Sequence, residues 1–185
     1  MSMDSQPKYK NIIPGIPATA VDIYRMLPEG TRCEVIFNEL IMSPSPSFEH
    51  QSVFIELTAA LFHFLKDHPV GTLLTAPFDV YFENLQSVVQ PDLFVVMNEG
   101  KQIISKNGVH GVPGLVIEIV STNRAYDTKR KKTLYEKAGV SEYFIIDPIN
   151  KNVTLFSLDS SGGYTQTYEA ASLLKSTLLN CELTF

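Results

Sequence analysis

Two carboxylates stand inside runs that are otherwise apolar. Asp92 follows Gln90-Pro91 and opens Leu93-Phe94-Val95-Val96-Met97, and Glu118 interrupts Leu115-Val116-Ile117-Glu118-Ile119-Val120. In an extended chain of period two, Asp92, Phe94 and Val96 share one face, as do Val116, Glu118 and Val120. The second run is apolar on both faces apart from its glutamate, the mark of a central strand covered on two sides. A buried carboxylate there must be paired, protonated or bound to a cation, because leaving it isolated costs several kcal/mol. Hard divalent cations prefer oxygen ligands, and Mg2+ takes one or two carboxylates and completes its shell with water and phosphate oxygens. A lysine beside such a site stabilises the charge that develops as a phosphoryl group is attacked. A plain ion pair between Glu118 and a nearby lysine satisfies the same sequence, as does a turn-forming role for an aspartate that follows proline.

Net charge is −5, which argues against a generic nucleic-acid coating protein, but its distribution is uneven. The window from Lys101 to Val140 holds eight basic residues and three acids, so it carries +5 against −10 elsewhere. Such a patch beside two inward carboxylates suits a phosphate-bearing substrate, with Lys129 and Lys132 as candidates for holding its phosphate; a solvated helix face is the bland alternative. Cys33 and Cys181 have no ligand-like spacing and read as free, partly buried thiols. With no apolar run long enough for a membrane span and a polar first ten residues, the cytoplasm is the expected location.

The elements that must position these residues follow from periodicity. Residues 1–17 read as an N-terminal arm and residues 18–185 as one domain, since neither repeat nor linker divides them. A short helix is expected from Ala18 to Leu27, capped by Thr19, then strands at Arg32–Phe37, which carries Glu34, and Leu40–Ser43. A long helix runs from about Ser47 to Lys66. At 100° per residue His50, Phe54, Leu57, Leu61 and Phe64 form one stripe, so His50 leads the buried face, either as a satisfied core histidine or as a site residue. Leu73–Phe82 reads as one long strand with Pro77 at an edge or bulge. Gly108, Gly111 and Gly114 precede a strand, which rules out a phosphate-cradling glycine loop, since that loop follows a strand and opens a helix. In the basic helix, Asp127, Lys131 and Tyr135 form one stripe, flanked by Thr128, Lys132 and Leu134, with Gly139 as its C-cap. Strands at Glu142–Asp147, Asn152–Leu158 and Tyr164–Tyr168 and an apolar segment from Leu173 to Phe185 complete an α+β chain.

Pro91-Asp92, Pro113-Gly114-Leu115-Val116-Ile117-Glu118-Ile119-Val120-Ser121, Asp127-x-x-x-Lys131-x-x-x-Tyr135 and Gly139-Val140-Ser141-Glu142-Tyr143-Phe144-Ile145-Ile146-Asp147-Pro148 resemble the Uma2 family (DUF820) of restriction-endonuclease-like proteins, within the PD-(D/E)XK nuclease superfamily. The resemblance extends from about Ala18 to the C-terminus. It implies a restriction-endonuclease-like mixed sheet flanked by helices, and a Mg2+- or Mn2+-dependent endonuclease acting on DNA phosphodiesters. Asp92 and Glu118 match the two metal-binding acids, with Glu34 and His50 at recurrent polar positions. Val120 stands where the superfamily lysine is usual, so that role passes to Lys131; Gly114 replaces a common aspartate. By analogy with restriction-type folds a homodimer is expected. The alternative is a catalytically silent nuclease-fold binding or assembly module whose acids are structural.

Overall fold

The computed structural model describes residues 17–28, 30–120 and 125–185, with side chains of the last segment described from residue 128. The expected arm lies almost wholly outside these residues, as do Ser121 to Arg124 and the side chain of Asp127. Helix α1 (Ala20–Met26) starts at the Thr19 cap, where the threonine hydroxyl accepts from Asp22 N–H and the Asp22 carboxylate accepts from Thr19 N–H. Strands β1 (Cys33–Ile36) and β2 (Glu39–Met42) form a hairpin whose turn, Phe37-Asn38, has two positive φ angles. Two such angles match the right-handed twist of the paired strands.

Helix α2 (Phe48–Asp67) follows a proline-broken segment, and Ser47 caps it by accepting from His50 N–H. Its most buried line is Val53, Leu57, Leu61 and Leu65, centred on the stripe expected and sharing Leu57 and Leu61 with it; Phe54 and Phe64 flank the line, and His50 is only half-buried at the first turn.

Leu73–Phe82 is not one strand. It divides into β3 (Gly71–Thr75) and β4 (Val80–Phe82), which lie in different sheets. Pro77 has no N–H to continue a ladder, so the chain leaves one sheet there and enters the other. Strand β5 (Ser87–Val89), hidden in sequence by its three-residue length, returns through a left-handed Gln86. Next come β6 (Leu93–Met97), the hairpin β7 (Ile104–Ser105) and β8 (Gly108–His110), and β9 (Leu115–Ile119). Helix α3 (Ala125–Ala138) carries the chain to β10 (Glu142–Ile146), parallel to β9. Strands β11 (Asn152–Leu158) and β12 (Tyr164–Ala171) extend the sheet, and the closing segment is a hairpin of β13 (Leu173–Ser176) and β14 (Cys181–Thr184).

Two mixed six-stranded sheets result, in the orders β2-β1-β5-β4-β8-β7 and β12-β11-β10-β9-β6-β3. The second sheet buries Leu93, Val95, Leu115 and Ile117 against α2 and the closing hairpin. On its other face Phe94, Val96 and Val116 pack with Leu134 and Tyr135 of α3 and with Ile36, Val80 and Phe82 of the first sheet. Period two therefore directs Asp92 and Glu118 to the face shared by α3 and the first sheet. The C-terminal hairpin is clamped to β10 by Glu142, whose carboxylate accepts from the Ser176 hydroxyl and from Thr177 and Leu178 N–H. Gly114, just before β9, approaches so closely that a Cβ there would lie 2.8 Å from Met97 Cγ and 3.0 Å from Leu178 Cδ2.

Candidate active site

Strands β6 and β9 pair antiparallel with Leu93 opposite Ile117, so the next step of the register sets Asp92 opposite Glu118. Ile119 N–H donates to Asp92 Oδ2 at 2.8 Å, which locks the aspartate onto the strand that carries the glutamate. His50 Nε2 reaches the same oxygen at 3.2 Å from the first turn of α2. Because a carboxylate only accepts, Nε2 carries the proton. Among the described residues His50 Nδ1 is buried with no hydrogen-bond partner.

Lys131 joins the acids. Its ammonium donates to Glu118 Oε1 at 3.0 Å and to Glu34 Oε1 at 2.9 Å. One turn along α3, the Tyr135 hydroxyl, wholly buried, donates to Glu118 Oε1 at 2.6 Å. Glu34 Oε1 also accepts from Gln90 N–H at 2.9 Å, so the loop before Asp92 is tied to β1. Glu118 is 4% exposed and Glu34 7%. The lysine and tyrosine share a face of the helix because they are four residues apart, and the β9–α3–β10 crossover lays that face over the sheet.

Burial pushes the Glu118 carboxyl up to about 7; the Lys131 ammonium opposes the shift, and the Asp92 and Glu34 charges reinforce it. Burial by itself disfavours the Lys131 ammonium, but Glu118 and Glu34 together more than reverse this and hold it above the ordinary lysine range. Tyr135 is held well above the usual phenol range, by burial first and then by the Glu118 charge, so it stays a neutral donor.

Glu34, His50, Asp92, Glu118, Val120, Thr128 and Lys131 line one cleft of about 1080 Å³. Val120 brings no charge to it, and the ammonium is supplied by Lys131 instead. Lys129 and Lys132 are not among the residues lining the cleft; the Lys132 ammonium lies 3.8 Å from the Phe156 ring centroid. Reading one stripe of a helix identified Lys131 and Tyr135, but the flanking positions were decided by how the sheets meet.

Three carboxylates against one ammonium leave the floor of the cleft anionic, which fits a divalent cation. Among the described residues no cluster of three or more His, Cys, Asp or Glu side chains is arranged to hold a metal ion. Asp92 and Glu118 are the carboxylates that would hold such an ion, with water and substrate completing the shell, as Mg2+ and Mn2+ tolerate.

Sequence reasoning missed a second polar cluster in the same cleft. The Asp79 carboxylate accepts from the Tyr24 hydroxyl at 2.7 Å, the Tyr81 hydroxyl at 2.8 Å and Gln90 Nε2 at 2.8 Å. Its residues are scattered over 66 positions, and no local pattern announces them.

The two mixed sheets, the helical crossover and the acids at the junction of β6 and β9 define a nuclease-type α+β fold. The chain belongs to the Uma2 family, whose model, described as "Putative restriction endonuclease", matches residues 20–184. Among solved structures it is similar to a "putative nuclease belonging to DUF820" from Anabaena variabilis ATCC 29413. The TM-score is 0.70 and the identity 18%, covering 89% of this chain and 92% of that one. No curated protein matches the chain.

Proposed function

We propose that this protein is a metal-dependent endonuclease that hydrolyses DNA phosphodiester bonds. The observation that carries the reading is the juxtaposition of Asp92 and Glu118 on adjacent strands, with the Lys131 ammonium 3.0 Å from Glu118, on the floor of an open cleft. Asp92 and Glu118 would hold Mg2+ or Mn2+. When bound, such a cation polarises a phosphoryl oxygen and lowers the pKa of water. Lys131 remains charged and offers its proton donors where negative charge develops on the phosphate. Glu34 and Tyr135 fix that lysine and Glu118 in place, and His50 orients Asp92. The proposal includes a cytoplasmic enzyme acting as a homodimer, by analogy with restriction-type folds that pair two sites on a duplex; among the described residues no helix is long and apolar enough to cross a membrane.

The test is nicking of supercoiled plasmid by purified protein with Mg2+ or Mn2+. Cleavage lost in both Asp92→Ala and Glu118→Ala supports the reading; a folded wild type that cuts no nucleic acid with either metal overturns it. A second reading has its own observation. Lys131 already bridges Glu34 and Glu118, which is what structural acids in a nuclease-fold binding or assembly module require. Calorimetry with Mn2+ separates the two, because only the enzyme needs to bind the ion.

A further inference from the structure

Among the described cations of the sequence's basic window, only Lys131 and Lys106 line the cleft. Arg130 pairs with Glu39 at 2.8 Å, and Lys132 rests on Phe156. The cleft nevertheless has a cationic rim, built from three segments far apart in the chain. Arg25 comes from α1, Arg32 from the segment before β1, and Lys106 from the turn joining β7 to β8. All three are exposed, and among the described residues none forms an ion pair with an acidic side chain.

The Asp79 cluster holds the Arg25 and Lys106 sides of this rim, while Arg32 donates to the Pro44 carbonyl at 3.3 Å. Through the Tyr24 hydroxyl, Asp79 ties down α1 one residue before Arg25, whose guanidinium lies 5.7 Å from the centre of the Tyr81 ring. Its backbone carbonyl accepts from Val109 N–H at 2.8 Å, which docks the hairpin that presents Lys106 and Asn107. Gly108 permits that docking. At φ +147° a Cβ there would lie 2.8 Å from Tyr81 Cε2 and 2.9 Å from the Asp79 carbonyl oxygen. On the other side Gln90 bonds Asp79 through its side chain and Glu34 through its backbone N–H, so rim and floor share one network.

We propose that Arg25, Arg32 and Lys106 form a backbone-binding rim for a nucleic-acid strand, held in register with the Asp92–Glu118 floor by Asp79 as a positioning residue. The inference rests on the phosphodiesterase reading of the same cleft and names where its substrate lies. Exposed cations that form no ion pair among the described residues, bordering an acidic floor, separate two tasks. The rim takes the phosphates flanking the reacting one, while the floor takes a cation. Bases gain nothing from these contacts, so binding through the rim is insensitive to sequence and steeply dependent on salt.

The experiment is fluorescence anisotropy of a labelled duplex oligonucleotide, titrated with salt in Ca2+, which takes the same kind of oxygen ligands as Mg2+. Arg25→Ala/Arg32→Ala/Lys106→Ala is compared with Lys129→Ala/Lys132→Ala and wild type. The rim variant is expected to bind at least about tenfold more weakly, with a log–log salt slope shallower by about two to three, and to retain wild-type Mn2+ binding by calorimetry. Asp79→Asn is expected to weaken DNA binding in the same direction without removing a cation. Unchanged affinity in the rim variant, a loss confined to the Lys129/Lys132 variant, or a wild type that binds no oligonucleotide each overturns the proposal. Rim-dependent binding by a wild type that cuts nothing would leave the rim standing and sink the catalytic reading. Full cleavage by a rim variant of unchanged affinity would do the reverse.

Discussion

The Tyr135 hydroxyl and the Lys131 ammonium both donate to a single oxygen, Glu118 Oε1, at 2.6 and 3.0 Å. One is a neutral donor sealed in the core and the other is a cation lining the cleft. The glutamate is thus anchored from behind and charge-matched in front. Replacing Tyr135 with phenylalanine removes the anchor without changing shape, and is expected to lower unfolding free energy by about 1–3 kcal/mol. Chemical denaturation measures it; unchanged stability would show that the bond contributes nothing.

Lys131→Met is expected to do more. It leaves Glu34 and Glu118 facing one another without a cation, and loss of one partner from a buried ion pair costs about 3–5 kcal/mol. Adding Glu34→Gln removes one of the stranded charges, so the double variant should be more stable than Lys131→Met alone. Equal or lower stability in the double variant would mean that the three groups do not act as one network.

The proposed ligation of a metal by Asp92 and Glu118 predicts a pH signature. Burial raises Glu118 to about 7, so below that pH an incoming cation must displace a proton, and above it none. Mn2+ affinity is therefore expected to fall as pH drops through 7, approaching about tenfold per unit, and to level off above it. Calorimetry in buffers of different ionisation enthalpy reads the proton release directly. Affinity that is flat from pH 5 to 8, within about a factor of two, would remove Glu118 from the ligand set.

The two thiols should be silent. Burial raises Cys33 above its usual range and raises Cys181 to about 11. Because the thiolate is the reactive form, neither is expected to react with a thiol reagent at about pH 8 in the native protein, and both should react once it is denatured. Rapid native labelling would show that one of them is reached by local opening.

The secondary structure around the site was largely legible. The start of α2 at about Ser47, Gly139 ending α3 and the glutamate inside a two-sided apolar strand are local signals, and each lies where the sequence placed it. The sequence put one acid on each of two strands, but that the strands are neighbours, with Asp92 opposite Glu118, is a fact of sheet order. The rest depended on contacts between distant segments. Glu34 meets Gln90 across 56 positions, and Asp79 gathers partners from α1 and β4. Pro77 gave a local hint that a strand would bend, but the change of sheet it marks depends on strand neighbours that no window of sequence contains. The basic window misled for a related reason, since charge density along the chain says nothing about which side of α3 the first sheet covers.

The Glu142 clamp sets an order of events during synthesis. Glu142 begins the strand parallel to β9, yet its three donors lie at residues 176–178, more than thirty positions further along. Until the ribosome has released that turn, the Glu142 carboxylate at the head of β10 lacks the three donors that satisfy it in the folded chain. A nascent chain of this protein would carry every acid of its cleft well before that clamp could close.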